Sequence, residues 1–267
     1  NSLKAHVLHH HLRLQRELGN FPKNDFINYL ALPRKSHPVL RHQSPDDQSP
    51  CIAADEDFAA LTGCPPVGDD EELVRSLLDH FLADADSADL FAPMIPEERL
   101  RGIHARARLL AGADPGEWNK HLDPAEIASL QQETRIDFAP GQPLFFAPDA
   151  PVALTLDLKH TPDLLVRIHE LDPPAHVARH GCEPPLDLDL GGLVPHAERT
   201  LHFDHPSLLR HRESIPLPEL QGRGAWIVEF ISRGVASRAL VRKGRLVPHA
   251  TPGADGVVVR VFGENGA

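Results

Sequence analysis

Two groups of histidines have the residue types and spacing that could hold a metal ion. His176, His180 and Cys182 form an H-x3-H-x-C pattern in a segment expected to be a loop between two strands. Imidazole and thiolate are donors that Zn2+ accepts, but a tetrahedral site needs a fourth ligand or a water, and ARHGCEPP supplies no obvious one. The same segment also reads as a plain loop rich in turn formers. His6 and His10 lie four residues apart on an expected helix, so both imidazoles could face one metal, with His9 and His11 beside them. No carboxylate or cysteine nearby completes that set, and a solvated histidine surface is the competing reading.

Carboxylates give a second line of chemistry. On an expected strand, Asp187 and Asp189 would share a face and could hold Ca2+ or act as an acid/base pair. The alternative is that they form the solvent side of an amphipathic strand whose core face is Leu186, Leu188 and Leu190. Asp55, Glu56 and Asp57 lack the spacing and glycine of an EF-hand, and the acidic run at 69–72 reads as a helix start. The sequence contains neither a G-x-S-x-G elbow nor a G-x-x-x-x-G-K-[ST] loop, and Gly222–Arg223–Gly224 leads into a strand rather than a helix. No residue is assigned a catalytic or cofactor-binding role, and no cofactor is expected.

Composition narrows the partners. The 267 residues carry a formal charge of -11, which argues against an electrostatic grip on nucleic acid or anionic membrane. The best apolar run, AWIVEFI, is broken by Glu229 and is far shorter than a membrane-spanning helix, so no membrane insertion is expected. The N-terminus lacks the apolar stretch of a signal peptide, opens without Met, and the chain stops just after an expected strand. A segment of a longer protein is therefore expected, with other domains of that chain, or another protein, as partners. Cys51 and Cys64 could pair in an oxidising compartment, which would leave Cys182 over.

The elements that must position these residues fall into two halves. Residues 1–134 read as a small α-helical domain. Leu3, Val7, Leu8, Leu12 and Leu14 give a rough apolar stripe that stops near Gly19. Asp25 is the expected cap of FINYLAL, which Pro33 would end, and HQSPDDQSP is expected to be a solvated loop. Asp69 or Asp70 opens a helix carrying Leu73, Leu77, Leu78, Phe81 and Leu82, and Pro96 is expected as the first residue of the next, closed by Gly112. Asp114–Pro115 and Asp123–Pro124 repeat the signature of a cap followed by proline, opening two short helices; Trp118 is expected to be partly exposed.

Near residue 135 the period becomes two. Alternation at 152–158, 164–169, 186–190, 201–203 and 226–230, with ESIPL, VASRALVR and VVVRVF, gives about eight or nine short strands separated by Gly/Pro turns. Trp226 alternates with core positions. The fold class is α+β by segments: the helical domain, then an immunoglobulin-like antiparallel β-sandwich over 135–267, with the start of a next module near 252–267.

Several of these segments carry a family pattern. Gly224, Trp226, Val228 and Glu229, followed by Arg238, Ala239, Leu240 and Val241, and then Gly256 to Gly266, resemble the β-sandwich modules of alpha-2-macroglobulin-like proteins over about 80 residues. The resemblance implies a macroglobulin-like module in a large multidomain protein, secreted or in the cell envelope, with the last strand belonging to the next module. The family's Cys-Gly-Glu-Gln thioester motif is absent here, so protease trapping is not implied. The leading expectation is a non-catalytic structural or protein-binding segment. A hydrolase-like enzyme with a site between the halves, or a metal-binding module, stands as the alternative.

Overall fold

A computed structural model describes residues 1–42, 50–143, 145–253 and 256–263. Most of HQSPDDQSP and the end of GENGA lie outside those residues. The chain divides into two compact units, residues 1–133 with 206–211, and residues 134–205 with 212–267.

The first unit is helical: α1 (Ser2–Glu17), α2 (Lys23–Leu30), α3 (Ala59–Thr62), α4 (Glu71–Leu82), α5 (Glu97–Leu110), α6 (Pro115–Trp118) and α7 (Pro124–Gln132). Helix α4 follows the expected periodicity and buries Leu73, Val74, Leu77, Leu78 and Leu82. They join Phe26, Tyr29, Phe91 and Ile95 in one core, each such side chain contributing on the order of 2 kcal/mol by leaving water. A second cluster joins Leu109, Leu130 and Leu208, so the short segment 206–211 belongs to this unit.

Helix boundaries shift from the expectation where local cues compete. Helix α2 begins after Pro22, and Asp25 lies in its first turn rather than at its cap. Pro96 sits just outside α5. At α4 the Asp69 carboxylate accepts from the Glu71 N–H (2.9 Å), while Asp70 makes no side-chain cap bond and is drawn inside. Helix α1 differs most. It buries Ala5, His6, His9 and Leu12, while Leu3, Val7 and Leu14, three members of the expected stripe, are exposed.

The second unit contains β1 (Arg135–Phe138), β2 (Phe145–Phe146), β3 (Ala153–Lys159), β4 (Asp163–Leu171), α8 (Pro173–His180), β5 (Ala197–His202), β6 (Arg210–Pro216), β7 (Gly224–Ser232), β8 (Val235–Lys243), β9 (Leu246–Gly253) and β10 (Gly256–Gly263). One sheet has the order β1-β3-β6 and another β2-β8-β7-β4-β5, and β9 and β10 form a separate hairpin. Leu154, Leu156 and Leu158 of β3 meet Val166, Ile168, Trp226, Val228 and Phe230 in a single core. Helices thus precede an immunoglobulin-like sandwich whose β1–β3, β4–β5, β4–β7 and β7–β8 pairs are antiparallel, while the short β2 runs parallel to β8. Residues 186–190 form no strand: the Asp189 carboxylate accepts from the Gly191 N–H (2.8 Å), as in a turn. The expected shared face of Asp187 and Asp189 is absent for that reason. The Cys51–Cys64 disulfide is not formed.

Candidate functional site

His176 and His180 lie on helix α8, not in a loop. Asp172 caps the helix by accepting from the Ala175 N–H (2.9 Å), Pro173 occupies its first turn, and Gly181 ends it in the left-handed conformation at φ 73°. One helical turn separates the two imidazoles, and their ring centroids are 4.5 Å apart. Cys182 is exposed just beyond Gly181. The three donors are not gathered within 4.8 Å of one another, so the structure brings the two histidines together and leaves the thiol apart.

His6 and His10 are occupied by the fold. Their rings lie 4.6 Å apart, but each Nε2 faces a protein oxygen: Thr62 Oγ1 at 2.9 Å from His6 and the Pro65 carbonyl at 2.9 Å from His10. The Thr62 hydroxyl donates to the Phe58 carbonyl (3.0 Å), so His6 Nε2 must donate to it. The pair fastens the loop around α3 to α1. His9, buried beside Tyr29, has its pKa lowered to about 4, first by burial and then by the neighbouring His10.

The main polar centre of the helical unit is Asp70, which sequence reasoning took only as a cap. Its carboxylate accepts from the Tyr29 hydroxyl, from Arg34 Nη2 (3.2 Å) and from His37 Nε2 (3.0 Å). His37 Nδ1 accepts from the backbone N–H groups of Val39 and Leu40 (3.0 Å each), which fixes the Nε2–H tautomer. Arg34 also donates to the carbonyls of Tyr29 and Leu32 and lies 4.7 Å from the Tyr29 ring centroid. Burial pushes the Asp70 carboxyl upward, yet the bonds from His37 and Tyr29 and the Arg34 charge outweigh it and hold it well below the usual range. Burial, reinforced by Asp70, pushes the Tyr29 hydroxyl up. Every charge here is answered by a partner, an arrangement that fixes a loop rather than one that activates a reacting group.

The sandwich uses its polar residues in the same way. Glu229 accepts from Arg238 Nε (2.7 Å) and lies 3.4 Å from His169, and Arg238 also donates to the Leu188 carbonyl (2.9 Å). Arg242 pairs with Glu183 (2.8 Å), so two arginines of β8 hold the segment that follows α8. Trp226 is buried in the core at 3% exposure, and Trp118 is half-buried against His104.

What the surface offers instead is apolar area. Leu3, Val7, Leu14 and Leu18 are exposed along α1. On the β9–β10 hairpin, Val257, Val259 and Val261 stand opposite Pro252, Ala250 and Pro248, so all six share one exposed apolar face. Exposed apolar patches of this kind suit contact with another surface.

Residues 1–134 match the model of the actin-binding protein F N-terminal domain. The chain belongs to that family. Residues 164–244 match the first immunoglobulin-like domain of the same protein type, in the order of the helical and β units described above. Actin-binding protein F of Dictyostelium discoideum is 23% identical over 252 residues, covering 92% of this chain and 10% of that relative, so the chain spans a tenth of its length. Among solved structures, native alpha-2-macroglobulin from Escherichia coli, in a structure spanning its domains MG0-NIE-MG1, aligns with TM-score 0.35 and 16% identity over 51% of this chain and 47% of that one. The immunoglobulin-like character of 164–244 therefore rests on the actin-binding protein F family. No helix among the described residues is long and apolar enough to cross a membrane.

Proposed function

We propose that this chain is a non-catalytic, protein-binding segment of a large multidomain protein and that actin is its partner. One observation carries the reading: two family models of actin-binding protein F, helical domain then first immunoglobulin-like domain, match in order along the chain. The internal pairing of Asp70, His37, Glu229 and Arg238 is consistent with a scaffold. The test is cosedimentation of the 267-residue protein with filamentous actin. Saturable recovery in the pellet, above a control without actin, is expected. Recovery equal to that control at every actin concentration would remove actin as the partner.

The hairpin at 246–263 is assigned, within this proposal, to the opening of a following β module. The first immunoglobulin-like match ends at residue 244, the hairpin pairs with neither sheet of the sandwich, and its apolar face is exposed.

A second reading, a transition-metal site on α8, is favoured by the 4.5 Å approach of His176 and His180, with Cys182 as a third donor after local movement. Zn2+ would then be present in stoichiometric amount in protein purified without added metal, and His176→Ala with His180→Ala would remove it. Elemental analysis that finds no metal in the wild-type protein sinks this reading.

A further inference from the structure

Helix α1 carries its apolar residues on the wrong side for a helix that serves only its own core. At 100° per residue, Leu3, Val7, Leu14 and Leu18 fall within about 60° of arc. They are 43%, 51%, 52% and 56% exposed. The opposite side is buried and holds Ala5, His6, His9 and Leu12. Leu18 is the C-cap and keeps the helical path, its N–H bonding to the Leu14 carbonyl (3.0 Å). The stripe runs along the whole helix, with His10 and His11 flanking its middle. Arg13 is turned away and pairs with Glu17 (3.3 Å).

The spacing of the stripe decides what fits it. Its four members are separated by four, seven and four residues, a series that reads the same in both directions. A second α1 laid antiparallel over the first therefore sets Leu3 against Leu18 and Val7 against Leu14, and repeats both contacts by two-fold symmetry. That is the condition for an isologous interface, in which one patch complements itself. A partner of unrelated sequence requires no such symmetry. No fixed charge of one copy falls on the apolar arc of the other, since Lys4 and Glu17 flank the ends of the stripe and Arg13 lies off it.

We infer that two copies of this chain pair through an antiparallel α1–α1 contact centred between Val7 and Leu14. The inference goes beyond the actin reading and is independent of it. Four half-exposed side chains per copy give an interface below the roughly 800 Å² per partner of a standard complex, so the pairing is weak, with a dissociation constant of micromolar order or above.

Sedimentation velocity on the 267-residue protein over a concentration series tests it. A reversible monomer–dimer equilibrium is expected for the wild type. Val7→Lys and Leu14→Glu should each raise the dissociation constant at least about tenfold with no change in Tm, because both positions are solvent-facing in the monomer. An equimolar mixture of the two variants should recover association, since the antiparallel register places the introduced lysine of one copy against the introduced glutamate of the other. Val177→Glu, at an exposed apolar residue elsewhere, should have no effect. A wild type that stays monomeric to several hundred micromolar overturns the inference, and so does dimerisation indifferent to Leu14→Glu. Equal loss with Val177→Glu would trace the effect to added charge, and mixing without recovery would exclude the antiparallel register; either result also overturns it.

Discussion

Asp70 is the residue on which the polar interior of the helical unit turns. It is the counterion of Arg34, which is 4% exposed, and the acceptor for Tyr29 and His37. Asp70→Asn keeps the shape but removes the charge, leaving a buried guanidinium without its partner; the expected cost is about 3–5 kcal/mol. Urea unfolding should report it as a lower midpoint at unchanged m-value, and a loss under about 1 kcal/mol would show that Arg34 is satisfied by the carbonyls alone. His9 gives the unit a separate acid sensitivity. Its pKa is lowered from 6.5 to about 4 by burial and His10, so the folded state binds fewer protons than the unfolded chain between those values. Its stabilising effect is complete above about pH 6.5 and declines as pH falls toward 4, at no more than about 1.4 kcal/mol per pH unit. The depressed carboxyl of Asp70 acts below that window: its contribution is present above the ordinary carboxylate value of 3.8 and is lost on further acidification. Thermal melts from pH 7.5 to 4 should therefore show Tm falling in the wild type and falling less in His9→Leu. Parallel curves would assign the slope to other groups.

At the scale of elements, what could be read from the sequence was what is decided within a few residues. Helix α4 and strands β3 and β4 place their periodic apolar residues in the core as expected, whereas β7 is buried on both faces, Ile227 and Glu229 included. The cap followed by proline at Asp114–Pro115 works as it reads, the carboxylate accepting from the Gly116 N–H (3.0 Å). The same signature at Asp172–Pro173 opens α8 and places His176 and His180 on a helix where a loop was expected. What escaped the sequence was decided at long range. Helix α1 turns its histidines inward because His6 finds Thr62, 56 residues away, and His9 finds Tyr29. The alternation at 186–190 imitates a strand, but its Leu188 carbonyl is taken by Arg238, 50 residues on. Asp69 and Asp70 are equivalent as caps in the sequence, and only the Tyr29–Arg34–His37 pocket tells them apart. Sites built from such contacts, the Asp70 centre above all, leave no local pattern.

At the scale of the molecule the hairpin of β9 and β10 forms a sheet of its own, apart from the two sheets of the sandwich. Eight cross-strand pairs hold it together, but a two-stranded hairpin on its own is marginal in water. Its stability must come from burying a face, and here the apolar face of Val257, Val259 and Val261 with Pro248, Ala250 and Pro252 is exposed. If it opens a following module, the backbone amides of residues 246–263 should exchange quickly with deuterium in the 267-residue protein, while those of β7, flanked on both sides by β4 and β8, stay protected. In a longer chain that supplies the rest of the module, the hairpin amides should slow by at least about a hundredfold, the factor expected when a local opening comes to cost about 2.7 kcal/mol more. Val259→Thr keeps the branched shape and removes the apolar contact, so it should erase much of that protection in the longer chain and change nothing in the shorter one. Hairpin amides already as slow as those of β7 in the 267-residue protein would mean that the hairpin is complete without further chain, and its assignment to a following module would have to be given up.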